Sequence, residues 1–352
     1  MKKLSFWTIL KLGLLVFIPI TVWFDLIGFN PVAITVASIL GILPLISFIA
    51  KATEELTSRT STIVGSLLNV TFGNAFEIII GILAIKAGLI GMIKAALAGS
   101  IILNILLVIG ASMLLSGFKY KEQTFNRESA GIGSTMLLLA VAGLLLPSLY
   151  SVIAGEPVVI MSRVVAITLA MTYVLALVFM LGTHRHLFKT KLDVEDHKTH
   201  WGIKKSSLVL IVCVGLAILQ SEILVSNITP VIEATALTEE FVGMVIIAVI
   251  GNIPELLTAI TLGIRNNITQ SIEIGLNSSM QIALFAAPLL VLLSPLLGSE
   301  LTLAFSPFQM VGMILAVVII NYLSSDGVCN WLEGLQLTAM YILIAVVFFF
   351  IN

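Results

Sequence analysis

The chain reads as a succession of long apolar runs parted by short polar breaks. Eleven runs near 20 residues occur, at 6–26, 30–50, 61–85, 91–117, 129–150, 162–182, 206–226, 238–264, 272–297, 306–324 and 334–351. At about 1.5 Å rise per residue, such a run crosses about 30 Å of hydrocarbon. No stretch alternates polar and apolar over the ten or so residues of a membrane β-strand. The pattern predicts an all-α membrane protein with about eleven transmembrane helices.

Shifting the chain by 178 residues superimposes Gly65 on Gly243, Gly73 on Gly251, Asn74 on Asn252, Glu77 on Glu255 and Ser100 on Ser278 without a gap. Most other matched pairs are merely apolar, which membrane composition produces by itself, so the polar coincidences carry the inference. Runs two to six and seven to eleven then form two units of five helices, preceded by one extra helix. Because five is odd, the second unit inserts from the opposite side. This is an inverted-topology repeat, an architecture of secondary transporters whose sites lie near the midplane at the repeat interface. The expected organisation is an extra helix in 1–29, a first repeat in 30–182, a central loop in 183–205 and a second repeat in 206–352.

Composition removes the soluble alternative: 59% of residues are hydrophobic and 11% charged, with mean hydropathy +1.14. Assigned to alternate sides, 15 of the 18 cations share one side: Lys2, Lys3, Lys11, Lys51, Arg59, Lys119, Lys121, Arg127, Arg185, Lys189, Lys191, Lys198, Lys204, Lys205 and Arg265. The other side holds Lys86, Lys94 and Arg163. Cytoplasmic loops collect Lys and Arg, so the N-terminus is expected in the cytoplasm and Asn352 outside, across a prokaryotic inner or plasma membrane. Lys2 and Lys3 precede the first run as they would in a secretory signal. That run contains Lys11 and lacks a small-x-small site near Asp25, so it reads as a retained helix. A net charge of −1 gives no reason to expect nucleic acid. Cys213 and Cys329 lie far apart, and neither a disulfide nor a metal site is inferred from them. The lipid bilayer is the expected partner, and a homo-oligomer stays open.

The candidate chemistry sits in runs three and eight, where Gly73-Asn74-Ala75-Phe76-Glu77 returns as Gly251-Asn252-Ile253-Pro254-Glu255. An ionised carboxylate in hydrocarbon is costly unless it finds a cation, a proton or donors, so buried glutamates survive mainly where they perform a task. Asn69, Gly73 and Glu77 are spaced four apart and predict one polar and small stripe on a helix. Glycine weakens the helix there, and Pro254 should free a carbonyl near Ile250. Both segments are expected to be interrupted helices whose unwound carbonyls, at Gly73 and Gly251, can meet a cation. Glu77 lies about sixteen residues from the start of its run and Glu255 a similar distance from its own, near the midplane for both. Ser100 with Asn104 and Ser278 with Gln281 add ligand candidates at helix-adjacent spacings, although each alone also suits interhelical hydrogen bonding.

With neutral amides at Asn104 and Gln281, the expected site carries two negative charges. A hard divalent cation wants several oxygen ligands, and two carboxylates with amide, hydroxyl and carbonyl oxygens suit Ca²⁺. Without the metal, two close carboxylates repel and bind protons instead. One Ca²⁺ or two protons neutralise the same pair, which suffices for antiport if the empty, charged site cannot cross between states. Calcium and protons are then transported ions, and no cofactor is expected.

At these residues the sequence resembles the calcium/proton exchanger family of the cation/calcium antiporter superfamily, over nearly the whole chain. GNAFEIIIGILAI from Gly73 resembles that family's first consensus segment, and GNIPELLTAITLGIRNNITQSIEIGLNSSMQIALFAAPLLVL from Gly251 resembles its second. The resemblance implies that Glu77 and Glu255 are the paired Ca²⁺ and H⁺ carboxylates, with Asn74, Asn252, Ser100, Asn104, Ser278 and Gln281 nearby. Asp193, Glu195 and Asp196 occupy the place of the family's central acidic segment, in a short stretch mixed with lysines. Phe76 stands where many relatives have a small polar residue, and Pro254 echoes the sodium/calcium exchangers. Those exchangers usually add an acid where Gln281 stands here, so proton coupling is expected ahead of sodium coupling.

Two other classes fit less well. A cation channel can use buried carboxylates but does not require an inverted repeat. An intramembrane protease needs a Ser and His pair, a HExxH zinc site or paired aspartates within spans. His184, His186, His197 and His200 all fall in the central loop, where they read as part of an exposed polar segment, with metal binding or pH sensing as the alternative. No enzyme is expected.

Overall fold

Each apolar run folds as helix. In the computed structural model, which describes residues 6–154, 158–184 and 201–350, the helices are α1 (Phe6–Leu14), α2 (Phe17–Leu26), α3 (Pro31–Thr57), α4 (Thr62–Gly73), α5 (Ala75–Lys86), α6 (Ile90–Gly117), α7 (Arg127–Ala154) and α8 (Val159–Thr183). They continue with α9 (Ile203–Ala234), α10 (Glu239–Gly251), α11 (Ile253–Ile264), α12 (Ile268–Leu297), α13 (Pro307–Leu323) and α14 (Trp331–Phe350). Local chemistry sets several starts. Asn30 Oδ1 accepts from the amides of Val32 and Ala33 at 2.9 and 3.3 Å, with Pro31 in the first turn of α3. Ser306 and Gln309 make a reciprocal capping box ahead of α13.

Among the described residues, seven helices are singly long and apolar enough to cross a membrane, and nine spans result if each of two bent pairs counts once. The bent pairs are α4 with α5, at 52°, and α10 with α11, at 55°. Helix α13 is apolar but shorter, and the first run is two helices rather than one. The chain is therefore an all-α multi-pass membrane protein, with one local exception that three-residue segments give no periodicity to foresee. Strand β1 (Glu122–Thr124) pairs antiparallel with β2 (Val328–Asn330), Gln123 opposite Cys329. Gln123 Nε2 donates onward to Gly263 O at 3.2 Å and to Asn266 Oδ1 at 2.9 Å, at the end of α11 where Asn266 takes a left-handed φ of 63°. The expected central-loop residues His186, His197, His200, Asp193, Glu195 and Asp196 lie outside the described residues, as do Lys2, Lys3 and Asn352.

Two compact units divide the chain. The first, Met1–Gly88 with Glu195–Thr238, contains α1 to α5 and α9. Its core is the seam of α3 and α9, where Leu45, Ile49, Ala52 and Leu56 meet Leu210, Cys213 and Ala217, with Ala75 of α5 against them. Gln220 Nε2 donates to Ile18 O at 3.2 Å, and Glu55 Oε2 accepts from the Trp201 amide at 3.1 Å.

The second unit, Leu89–Val194 with Glu239–Asn352, is built around α6, the most enclosed of the long helices, with 83% of its apolar window buried. Helix α10 crosses α6 at two glycines. A Cβ on Gly99 would meet the backbone of Met244, and one on Gly243 would overlap the Met92 carbonyl and approach Ala96 N at 3.0 Å. Helix α14 packs along the second half of α6, and α12 lies against α7 and α8. Ile160, Val164, Met171 and Leu175 of α8 remain exposed, as a face turned to lipid requires.

Candidate ion site

The site begins with two asparagines that end one helix and start the next. Asn74 has φ −109° and ψ 27°, and Asn252 has φ −105° and ψ 14°, both outside the helical basin. Each turns its side-chain amide back onto the preceding turn, Asn74 Nδ2 to Val70 O at 3.4 Å and Asn252 Nδ2 to Ala248 O at 2.8 Å. Each main-chain carbonyl opens the following helix, accepting from Ile78 N at 3.1 Å and from Leu256 N at 3.0 Å. All four bonds correspond under the same 178-residue shift. Because neither asparagine side chain caps the new helix, its first amides stay directed along the axis toward the break.

Glu77 and Glu255 occupy the third position of α5 and α11, in the first turn, where the helix dipole favours a negative group. Pro254 stands in that turn too, so its missing amide is one that a helix start leaves unpaired in any case. The expected stripe of Asn69, Gly73 and Glu77 does not run unbroken. The bend falls between Gly73 and Ala75, and Asn69 is exposed whereas Glu77 is 8% exposed.

Within the second unit, Ser100, Asn104, Asn252 and Ser278 form one buried network. Asn104 Nδ2 donates to Asn252 Oδ1 at 2.6 Å and to Ser278 Oγ at 2.9 Å, and Asn252 Nδ2 donates to Ser100 Oγ at 3.0 Å. Gly251 is buried at the break, Glu255 follows Asn252 by three residues, and Gln281 follows Ser278 by three on α12. Gly73, Asn74 and Glu77 belong to the first unit. Asn104 opens a π-helical stretch, Asn104–Val108, and Gln281 immediately precedes another, Ile282–Ala286. The two stretches correspond under the 178-residue shift, and such bulges release carbonyls from the regular helical ladder.

The electrostatic character of the second unit's site is that of acceptors. Among the described residues, Asn104 Oδ1 and Glu255 Oε2 are buried oxygens without a hydrogen-bond partner. Leaving a buried acceptor unmatched costs about 1–3 kcal/mol, so oxygens held this way suit a hard cation. A further carboxylate on α12, Glu273, lies outside the repeated motifs; its Oε1 accepts from Ser129 Oγ at 2.6 Å. The only signal for it was a charge inside run nine.

The family model described as sodium/calcium exchanger protein matches residues 30–182 and 205–350. The chain is 38% identical to the Ca²⁺/H⁺ antiporter of Aphanothece halophytica, over 96% of this chain and 95% of that one. It is 37% identical to the Ca²⁺/H⁺ antiporter of Synechocystis sp., over 96% of each. The solved structure of native YfkE superposes with a TM-score of 0.86 at 32% identity, covering 97% of this chain and 100% of that one.

Proposed function

The chain belongs to the sodium/calcium exchanger protein family, and from that premise we propose that it is a secondary active transporter exchanging cytoplasmic calcium for external protons by alternating access. The observation that carries this reading is the pair of matched helix breaks, each followed by a glutamate in the next helix's first turn. The names of its relatives as Ca²⁺/H⁺ antiporters support the choice of ions.

In this mechanism Glu77 and Glu255 serve one ion, joined by oxygens from Asn74, Asn252, Ser100, Asn104, Ser278 and Gln281 and by the carbonyls of Gly73 and Gly251. The metal-free pair takes up protons because two close carboxylates share negative charge poorly. Calcium displaces those protons, and either load neutralises the site. The empty site keeps a charge that is costly to move through hydrocarbon, which couples the two fluxes. We read the frame as eleven spans, an N-terminal helix in 1–29 and two inverted five-helix repeats in 30–182 and 206–352. The central loop at 183–205 and the N-terminus are assigned to the cytoplasm.

The test is Ca²⁺ flux in sealed vesicles under an imposed pH gradient, repeated under a sodium gradient. Flux driven by the pH gradient is expected. Flux driven by sodium alone would move the chain to the sodium-coupled branch of the same family, against the neutral residue at Gln281.

A further inference from the structure

The second unit holds a cavity of about 140 Å³ between α7, α12 and the end of α8, lined in part by Ser129, Met136, Met180, Glu273, Asn277 and Met280. Glu273, Asn277 and Met280 are spaced i, i+4 and i+7, so one face of α12 forms its wall. Ser129 is buried and holds one carboxylate oxygen of the half-buried Glu273. All three elements contribute from the same end of the unit: Ser129 lies in the first turn of α7, Met180 near the end of α8, and Glu273 in the second turn of α12. Arg127 and Arg265 stand at that end, and an open groove lined by Arg127, Glu128 and Gly131 adjoins the cavity through Ile132 and Met136. Ser278, a member of the buried network, follows Glu273 by five residues, about 7.5 Å further along the helix axis and about 140° around it, so the network flanks the cavity wall on α12 and does not line it. The 178-residue shift brings Ala95 to this position, so the carboxylate has no counterpart in the first half.

A carboxylate costs free energy in this setting, and a clasp between α7 and α12 needs only neutral partners. Thioether and aliphatic walls lower the local dielectric and concentrate the field of the charge in the cavity, which raises the local concentration of cations. We infer that Glu273, supported by Ser129, is an antechamber site that captures the divalent cation between bulk solution and the Ser100–Asn104–Asn252–Ser278 network. The inference rests on the exchange reading above, and it gives one face of the transporter a capture step that the repeat does not give the other.

The test is Ca²⁺ titration of exchange separately from each face of sealed vesicles. Glu273→Gln should raise the half-saturating Ca²⁺ concentration roughly three- to tenfold from the Arg265 face, as expected for losing one charge near a divalent ion. It should leave the value from the opposite face as in the wild type. Glu273→Asp should recover part of the loss, and Ser129→Ala should fall between. In Glu255→Gln protein, Mn²⁺ followed by electron paramagnetic resonance should still bind weakly, and adding Glu273→Gln should remove that binding. Equal half-saturation for wild type and Glu273→Gln on both faces, or a lowered melting temperature with no change in half-saturation, overturns the antechamber and leaves a structural clasp. Full exchange in Glu255→Gln would overturn the reading of the main site instead, while the Mn²⁺ result would still decide Glu273.

Discussion

Asn252 gives the second unit's site its shape because one amide group serves three partners. Its nitrogen holds Ala248 O and Ser100 Oγ, and its oxygen holds the Asn104 amide. Asn252→Ala removes all three bonds and leaves Ser100 with no donor from this network, at a cost of about 1–3 kcal/mol in stability. Exchange should fall far more than that figure suggests if the proposed site is right, since the change also releases the oxygens assigned there to the ion. Glu255→Gln should insert normally and lose exchange entirely, because a neutral amide mimics the protonated acid but cannot give up its proton. Near-normal coupled flux in Glu255→Gln, measured beside equal protein levels in the membrane, would remove that residue from the mechanism.

Helix-scale features explain how much could be read from sequence. Run lengths placed most helix bounds within four residues, since apolar length over about 1.5 Å per residue is a one-dimensional property. The first run, however, divides into two helices, and α3 and α9 continue seven and eight residues past the expected ends at 50 and 226. The Gly-Asn-x-x-Glu spacing gave both breaks for a similar reason: glycine, asparagine, bend and acid all lie within about one turn. The bond from Asn104 to Asn252 joins residues 148 apart, and no periodicity specifies which of several polar residues will meet across helices. The seam of α3 with α9 was hidden for the same reason, and β1 and β2 are too short to carry a pattern. Gly243 was visible only as one of the repeated residues, yet its role is the close crossing of α6. Gly243→Val should therefore lower the melting temperature in detergent markedly, because the obstructing atoms are the backbone of Met92 and Ala96 and the Cβ of Ala95, none of which can rotate away. Gly215→Ala, on α9 with nothing within 4 Å of the added carbon, should leave it unchanged or slightly raised. Equal effects of the two substitutions would show that the crossing is not tight.

For the whole molecule, sidedness and coupling are the properties that decide the mechanism. Five runs separate Lys121 from Glu300, so the two residues are expected on opposite sides of the membrane. Both are exposed. The native thiols at Cys213 and Cys329 are buried, and the Cys329 pKa is pushed up to about 12 by burial and by the charges of Glu333 and Asp326. An introduced cysteine therefore dominates labelling. Glu300→Cys should react with an impermeant maleimide in intact cells and Lys121→Cys should not. Labelling of both would break the odd count between them. Coupling is tested by proton linkage. If Ca²⁺ and protons share the two glutamates, calcium binding displaces protons, so affinity should rise with pH by up to about two decades per unit while both carboxylates are protonated in the metal-free protein. The dependence should flatten at high pH, where no proton remains to be displaced, and largely vanish in the Glu77→Gln, Glu255→Gln double variant. Calorimetry in buffers of different ionisation enthalpy counts the protons released. A count of zero throughout the pH range of active transport would mean that calcium and protons travel by separate routes, and the shared-carboxylate mechanism would fail.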